Sequence, residues 1–251
     1  MNMHILLVND DGINAPGLRA LARVLGESHT VTVSAPMEER SAVGHGLTVR
    51  VPLFTEKREV PGAKAAYAVS GTPADCARLG VLSLAEGPVD LVVSGINRGL
   101  NVAMDMLYSG TVSAAMEAAM LDKKAIAVST QWDGDFDRAA EVFAGLLGQL
   151  DIENDIDFML NINIPALPGQ EIKGVKWVPA GRTHLWADTY EHRQAPDGRD
   201  YYWLKNLQDA ATPDYGMDTD IGGGANGYVA LSPLVYDLTD GEGFREKSFS
   251  V

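Results

Sequence analysis

The stretch Ile5-Leu6-Leu7-Val8-Asn9-Asp10-Asp11-Gly12 decides the fold. Four consecutive apolar residues are too few for a helix and read as a strand buried on both faces of a parallel sheet. The strand ends in two adjacent carboxylates and then a glycine, which lets the chain turn sharply. In open α/β sheets ligands bind outside the carboxyl ends of the strands, so this pair sits where chemistry is expected. Side-by-side carboxylates repel unless neutralised, and a hard divalent cation is their natural partner. Asn, Asp and Gly also form ordinary turns. Two carboxylates directly after a buried strand favour a site over a turn alone.

Outward from this strand the chain alternates strand and helix. Leu18, Leu21, Ala22 and Leu25 recur at helical spacing, with Pro16 at an early helical position and Gly26 closing the helix. Thr30 to Ser34 reads as the second strand, stopped by Ala35-Pro36. A loop from Met37 to Gly46 then carries Glu38, Glu39, Arg40, Ser41 and His45. Leu47 to Phe54 and Ala66 to Val69 read as strands, expected as antiparallel additions. Thr72-Pro73-Ala74-Asp75 is a helix start: Thr72 caps, Pro73 takes the first position, and Asp75 faces the positive end of the dipole.

Val89 to Val93 is another buried strand, followed by the loop Ser94-Gly95-Ile96-Asn97-Arg98-Gly99-Leu100-Asn101. After Tyr108-Ser109-Gly110-Thr111, an Ala-rich helix is expected from Val112 to Leu121. Ser, Gly and Thr at a helix start leave backbone N–H groups and hydroxyls that suit a phosphate. In isolation such a tripeptide is only a cap; its weight comes from sharing a sheet edge with Asp10. Ala125 to Ser129 and Phe158 to Ile164 read as strands, with a helix from Phe136 to Leu150 between them.

Composition bounds the rest. The 251 residues, 46% of them hydrophobic, suffice for one large core. A net charge of −14 argues against a nucleic acid polymer, because no cationic surface would neutralise its phosphates. The single cysteine, Cys76, reads as a buried small hydrophobe and suits a reducing compartment. With no signal peptide or membrane-spanning run legible, a soluble cytoplasmic protein is expected. Residues 182–227 are polar and aromatic without helical period, and read as an extended hairpin or arm. Its exposed aromatics would want a partner, most simply a second copy of the chain. Within it Asp218, Asp220 and Gly222-Gly223-Gly224 read as a flexible polar turn rather than a metal loop. Residues 228–251 are expected to supply a returning strand and a tail to a single α/β domain spanning 1–251.

Taken together, Asn9-Asp10-Asp11-Gly12, Ala35-Pro36 with Arg40-Ser41 and Gly44-His45, Gly71 to Cys76, Ser94 to Gly99 with Asn101, and Tyr108 to Val112 resemble the SurE (survival protein E) family. Leu160 to Pro165 and Gly227-Tyr228-Val229 fit as well. The resemblance implies a metal-dependent phosphatase acting on nucleoside monophosphates, a Rossmann-like core, an arm exchanged between subunits, and a homodimer or homotetramer. It also implies that Asp10, Asp11, Ser41 and Asn97 hold one divalent metal ion, and that Ser109, Gly110 and Thr111 help hold phosphate. Asn9 and Asn101 belong to the same motifs and are expected on the substrate. Two departures stand out: Ala103 where a glycine is common, and the Gly222–Gly224 run.

The chemistry also reads without the resemblance. Oxygen donors from three strand ends match Mg²⁺, Mn²⁺ or Ca²⁺ rather than zinc. Such an ion would favour attack by an activated water, with Asp10, Asp11 and Ser109 as the catalytic groups and His45 a candidate proton donor to the leaving alkoxide. A local hydrogen bond is the plainer role for His45. Two rivals stay open: a phosphatase working through a phospho-aspartate on Asp10, and a non-catalytic receiver-like signalling module. The receiver reading is weakened by length, by the Ser-Gly-Thr helix start, and by Lys123 and Lys124, which precede their strand instead of following it.

Overall fold

Strand β1 (His4–Val8) lies inside a nine-stranded sheet, with β2 (Thr30–Pro36) on one side and β5 (Leu91–Arg98) on the other. The structure, a computed structural model, describes residues 2–166, 171–184, 189–205 and 218–238. Helix α1 (Pro16–Leu25) follows β1, and β3 (Thr55–Arg58) and β4 (Ala65–Val69) follow β2. Helix α2 (Pro73–Leu79) leads into a π turn over Gly80–Leu84. After β5 a 3₁₀ turn (Ala103–Tyr108) precedes α3 (Gly110–Met120). Then come β6 (Lys124–Thr130), α4 (Phe136–Leu147), the single turn α5 (Ile152–Asp155), β7 (Met159–Ile164) and β8 (Val175–Trp177). Strands β9 (Thr189–Gln194) and β10 (Asp200–Lys205) precede α6 (Asp220–Ala225) and β11 (Val229–Leu234).

The sheet runs β3-β4-β2-β1-β5-β6-β7-β11-β8. Its six central strands are all parallel. Counted along the parallel strands alone, the order is 3-2-1-4-5-6, that of a doubly wound Rossmann sheet, and it reverses between β1 and β5. Alternation along β1 divides the core. Ile5 and Leu7 pack with α1 and α4 through Leu18, Leu21 and Phe143. Leu6 and Val8 pack with α2 and α3 through Cys76, Ala114, Ala115 and Ala118. Small alanines on α3 let that helix approach the sheet closely. Cys76 is fully buried, as its neighbours predict, and burial pushes its thiol pKa up.

Several expectations are corrected. Leu47 to Phe54 forms no strand; the edge strand is the exposed β3 beyond it. The reason is tertiary: the Thr48 backbone N–H and hydroxyl both donate to the Asp75 carboxylate, at 2.9 and 2.6 Å, so the segment is bound to α2 and not to a ladder. Strand β4 forms as expected, but it joins β2 in parallel and only β3 is antiparallel to it. The α2 start is as read, a reciprocal capping box in which Asp75 N–H donates to Thr72 Oγ1 and Thr72 N–H to Asp75 Oδ2. Strands β9 and β10 form an antiparallel hairpin, as the arm reading expects, but residues 182–227 are not one arm. Residues 185–188 and 206–217, with Trp186, and the tail beyond 238 lie outside the described residues.

The expected polar turn at 218–224 gives way from Asp220 to a helix, α6, that is buried over residues 220–224. Glycines 222–224 carry no side chain to hold α6 away, so its backbone packs onto β11 beside Ala230. Asp220 is fully buried and accepts three backbone N–H groups: Ala103 at 2.8 Å, and Gly181 and Ile221 at 2.9 Å each. Ala103 stands at φ +52°, a left-handed conformation that explains why a glycine is at home there. Asp220 thus fixes the loop that leads to α3. Asp220→Ala strands three buried donors and is expected to cost about 3 kcal/mol of stability by urea unfolding. A cost within 0.5 kcal/mol of zero would show that the loop is held by other means.

Candidate active site

The site begins where β1 stops. Gly12 adopts φ +97°, and the Asn9 side chain braces the turn from below, its Nδ2 donating to Gly12 O at 3.0 Å and its Oδ1 accepting the Gly12 N–H at 3.2 Å. Asn9 is fully buried, so its place is beneath the turn and not on a substrate. With the turn made, Asp10 and Asp11 both line one cleft of about 520 Å³ at the β1/β5 reversal. Ser41, Asn97, Asn101 and Ser109 line the same cleft. These side chains come from three strand ends and one helix start.

Asp10 faces the first turn of α3. The Thr111 hydroxyl donates to Asp10 Oδ1, and the Thr111 backbone N–H favours the same carboxylate. Gly110 makes this approach possible: a β-carbon there would stand 2.7 Å from Asp10 Cβ. The expected phosphate cradle is therefore divided. The Thr111 hydroxyl is taken by Asp10, and of the three residues Ser109 lines the cleft. Ser109 Oγ caps α3 by accepting the Val112 N–H at 3.1 Å, which leaves its own proton to donate.

Asp11 lies against the end of β5, where the Arg98 backbone N–H favours its charge. Between Ser94 and Asn97 the β5/β6 register shifts, a bulge that bends the strand and carries Asn97 to the cleft. Asn97 Nδ2 donates to Gly99 O at 2.8 Å, so its remaining polar atom is an oxygen. Asn101 is held from behind by two fully buried asparagines of β7. Asn161 and Asn163 both donate to Asn101 O, at 2.8 and 2.9 Å, and the Asn101 N–H donates to Asn163 Oδ1 at 3.0 Å. Ser41, on the exposed loop, donates to Glu39 Oε1 at 2.6 Å. Glu39, Asp105 and Trp132 also line the cleft and were not foreseen, because nothing local in the sequence sets them apart.

His45 is corrected. Its Nε2 lies 2.8 Å from Glu117 Oε2, and Arg78 Nη1 donates to the other oxygen of that buried carboxylate at 2.6 Å. The ring ties the loop to α3 and lies outside the cleft lining, so the plainer local role is the one observed. Lys124 opens β6 at the opposite end of the sheet, where its Nζ donates to Ile156 O at 2.6 Å. A receiver-like lysine beside Asp10 is thus absent among the described residues.

Burial raises the Asp10 pKa, with Thr111 opposing it. Burial first, then the charge of Asp10, pushes Asp11 up to about 6, with Arg98 partly opposing. Two adjacent desolvated carboxylates, with amide and hydroxyl oxygens beside them, are the donor set of a hard divalent cation. Among the described residues no three His, Cys, Asp or Glu side chains are placed to hold a metal ion by themselves.

A model of the family described as survival protein SurE matches residues 5–187. The chain belongs to the SurE family. It is 42% identical over 241 residues to 5'-nucleotidase SurE of Kosmotoga olearia, covering 95% of this chain and 94% of that one. It is 44% identical over 246 residues to 5'-nucleotidase SurE of Nitratidesulfovibrio vulgaris, covering 96% of each. The crystal structure of the SurE protein from Aquifex aeolicus superposes with a TM-score of 0.78 at 37% identity, covering 95% of this chain and 96% of that one. The SurE fold and the Rossmann order seen here therefore agree.

The raised Asp11 pKa makes a signed prediction for the metal-free protein. A carboxyl that holds its proton more tightly when folded loses stability as pH rises from the unfolded value near 4 through 6. Asp11→Asn removes that loss. Its stability relative to wild type, both in chelator, should grow by about 1–2 kcal/mol between pH 4 and pH 7, after allowance for solvent screening. Adding Mn²⁺ at pH 7 should reverse the order. A difference that is flat across pH would mean Asp11 carries no such penalty.

Proposed function

We propose that this chain is a divalent-metal-dependent phosphomonoester hydrolase that acts on nucleoside monophosphates, a 5'-nucleotidase using water as nucleophile. The observation that carries this is the meeting of two adjacent carboxylates, Asp10 buried and Asp11 half-buried, with a Ser109-capped helix start in one cleft of a SurE chain. The names of its relatives support the substrate class. Asp10, Asp11, Ser41 and Asn97 would hold one ion, Mg²⁺, Mn²⁺ or Ca²⁺. When bound, that ion supplies charge neutralisation for the phosphate and activation of the attacking water.

The remaining work falls to the chain. Thr111 holds one Asp10 oxygen and so fixes the carboxylate's direction. Ser109 donates its hydroxyl proton to a phosphate oxygen, and the α3 dipole favours the charge on the phosphate. Asn101, immobilised by Asn161 and Asn163 and by the bond from its own Nδ2 to Ser129 Oγ at 2.8 Å, lines the same wall and orients the substrate through what remains of its amide. His45 has no part at the reacting atoms.

Phosphate release from adenosine 5'-monophosphate should vanish in excess chelator and return with Mn²⁺ or Mg²⁺. Asp10→Asn and Asp11→Asn should each lower kcat/KM at least a thousandfold, on the scale of a lost electrostatic group. A single-turnover acid quench with phosphorus-labelled substrate should leave no label on protein. Turnover in chelator would overturn the metal reading, and stoichiometric label absent from Asp10→Asn would establish the phospho-aspartate route.

The chain is further proposed to form a homodimer or homotetramer in which the β9–β10 hairpin is exchanged. Tyr190, Tyr202 and Trp203 on that hairpin are all more than 60% exposed, an apolar surface suited to a second copy. Replacing Tyr202 and Trp203 together by serine should reduce the mass found by light scattering to that of the monomer. An unchanged mass would exclude the exchange.

A further inference from the structure

The cleft that holds the carboxylates has an aromatic rim. Trp132, in the turn between β6 and α4, lines it while its side chain is 73% exposed, unusual for the largest apolar residue type. The turn that carries it is tied at several points. Trp132 O accepts from Arg98 Nη1 at 2.9 Å, and the Arg98 guanidinium sits 4.5 Å from the centre of the Phe136 ring. The Gly134 N–H donates to Gln131 O at 2.8 Å, and Gln131 Oε1 accepts the Ala166 N–H at 2.7 Å. The indole itself lies beside Gly99, its Cε3 3.7 Å from where a β-carbon would stand. A turn braced through Arg98, Phe136 and Gln131 thus holds a bare aromatic face at the mouth of the site.

The geometry points to Trp132 as the platform on which the base of the nucleoside monophosphate stacks. This inference rests on the nucleotidase reading above and deepens it. A phosphate seated near Ser109 and the carboxylates leaves the sugar and base to leave the cleft along its rim. Tyr108, the other exposed aromatic in the lining, adjoins Ser109 and so stands at the phosphate end. Trp132 stands two strands away from β1, beyond Arg98, where a base one sugar removed from the phosphate would arrive. Stacking on an indole needs no hydrogen-bond readout, so it selects for a base over none and for a purine over a smaller pyrimidine. Trp132 is a specificity residue, remote from the reacting atoms.

The test uses the full chain with Mn²⁺ and three substrates: adenosine 5'-monophosphate, cytidine 5'-monophosphate and ribose 5-phosphate, which has no base. Trp132→Ala should lower the preference for the adenine nucleotide over ribose 5-phosphate, as a ratio of kcat/KM, about tenfold. The loss should appear in KM, and Trp132→Phe should restore most of it. The cytidine nucleotide should fall between the two. Adenosine alone, which carries no phosphate, should quench tryptophan fluorescence in the wild type and not in Trp132→Phe. An equal loss on all three substrates, or no loss on any, would overturn the platform. Hydrolysis of ribose 5-phosphate by a wild type inert toward both nucleotides would instead overturn the nucleotidase reading, and this inference with it.

Discussion

Everything at the site follows from one electrostatic constraint: two neighbouring carboxylates, Asp10 buried and Asp11 half-buried, share the end of a buried strand. Left alone, such a pair opposes folding, because burial and mutual repulsion both disfavour its charges. The chain answers with directed dipoles. The first turn of α3 is aimed at Asp10, and the end of β5 offers an N–H to Asp11. Those two elements approach so closely only because Gly110 has no side chain and the β5 bulge bends the strand. The compensation is incomplete, since both carboxyls still hold their protons more tightly than free ones do.

The second layer of the design is polar and buried. Asn161 and Asn163 sit inside the sheet, yet between them they satisfy both the carbonyl and the N–H of Asn101. Asp220 does the same for the loop at Ala103. Buried polar groups are tolerated when they are hydrogen-bonded, and these bonds fix backbone in places where no regular ladder could. Loops that carry function are usually the mobile parts of a fold. Here the loops on the β5 side are fastened by side chains from β7 and α6, elements that contribute nothing to the cleft directly.

How much of this the sequence discloses depends on how local the cause is. The buried run before Asp10, the Thr72–Asp75 capping box and the Ser109 cap are complete within four residues, and each appears in the structure as read. Asp10, Asp11, Ser41, Asn97, Asn101 and Ser109, read from separate motifs, are brought to one cleft. The misreadings share a distant cause. Leu47 to Phe54 has strand-like residues but is captured by Asp75, 27 positions from Thr48. Asp220 looks like a turn former because its partner Ala103 is 117 positions away. Thr111 resembles a phosphate ligand until Asp10, 101 positions earlier, is seen to take its hydroxyl. Trp132 carries no motif at all; only the fold puts it on the rim.

The placement of β1 between β2 and β5 has a consequence for how the molecule comes into being. His4 on β1 meets Asp90, at the threshold of β5, across 86 positions of chain, and the contact that completes Asp10 spans 101. Strand β1 is thus made well before β5, so one of its two edges waits for a partner made much later. Closing such long segments is slow compared with forming local helices. During synthesis β1 has β2 as an early neighbour on one edge, while its other edge stays open until residues 91–98 arrive.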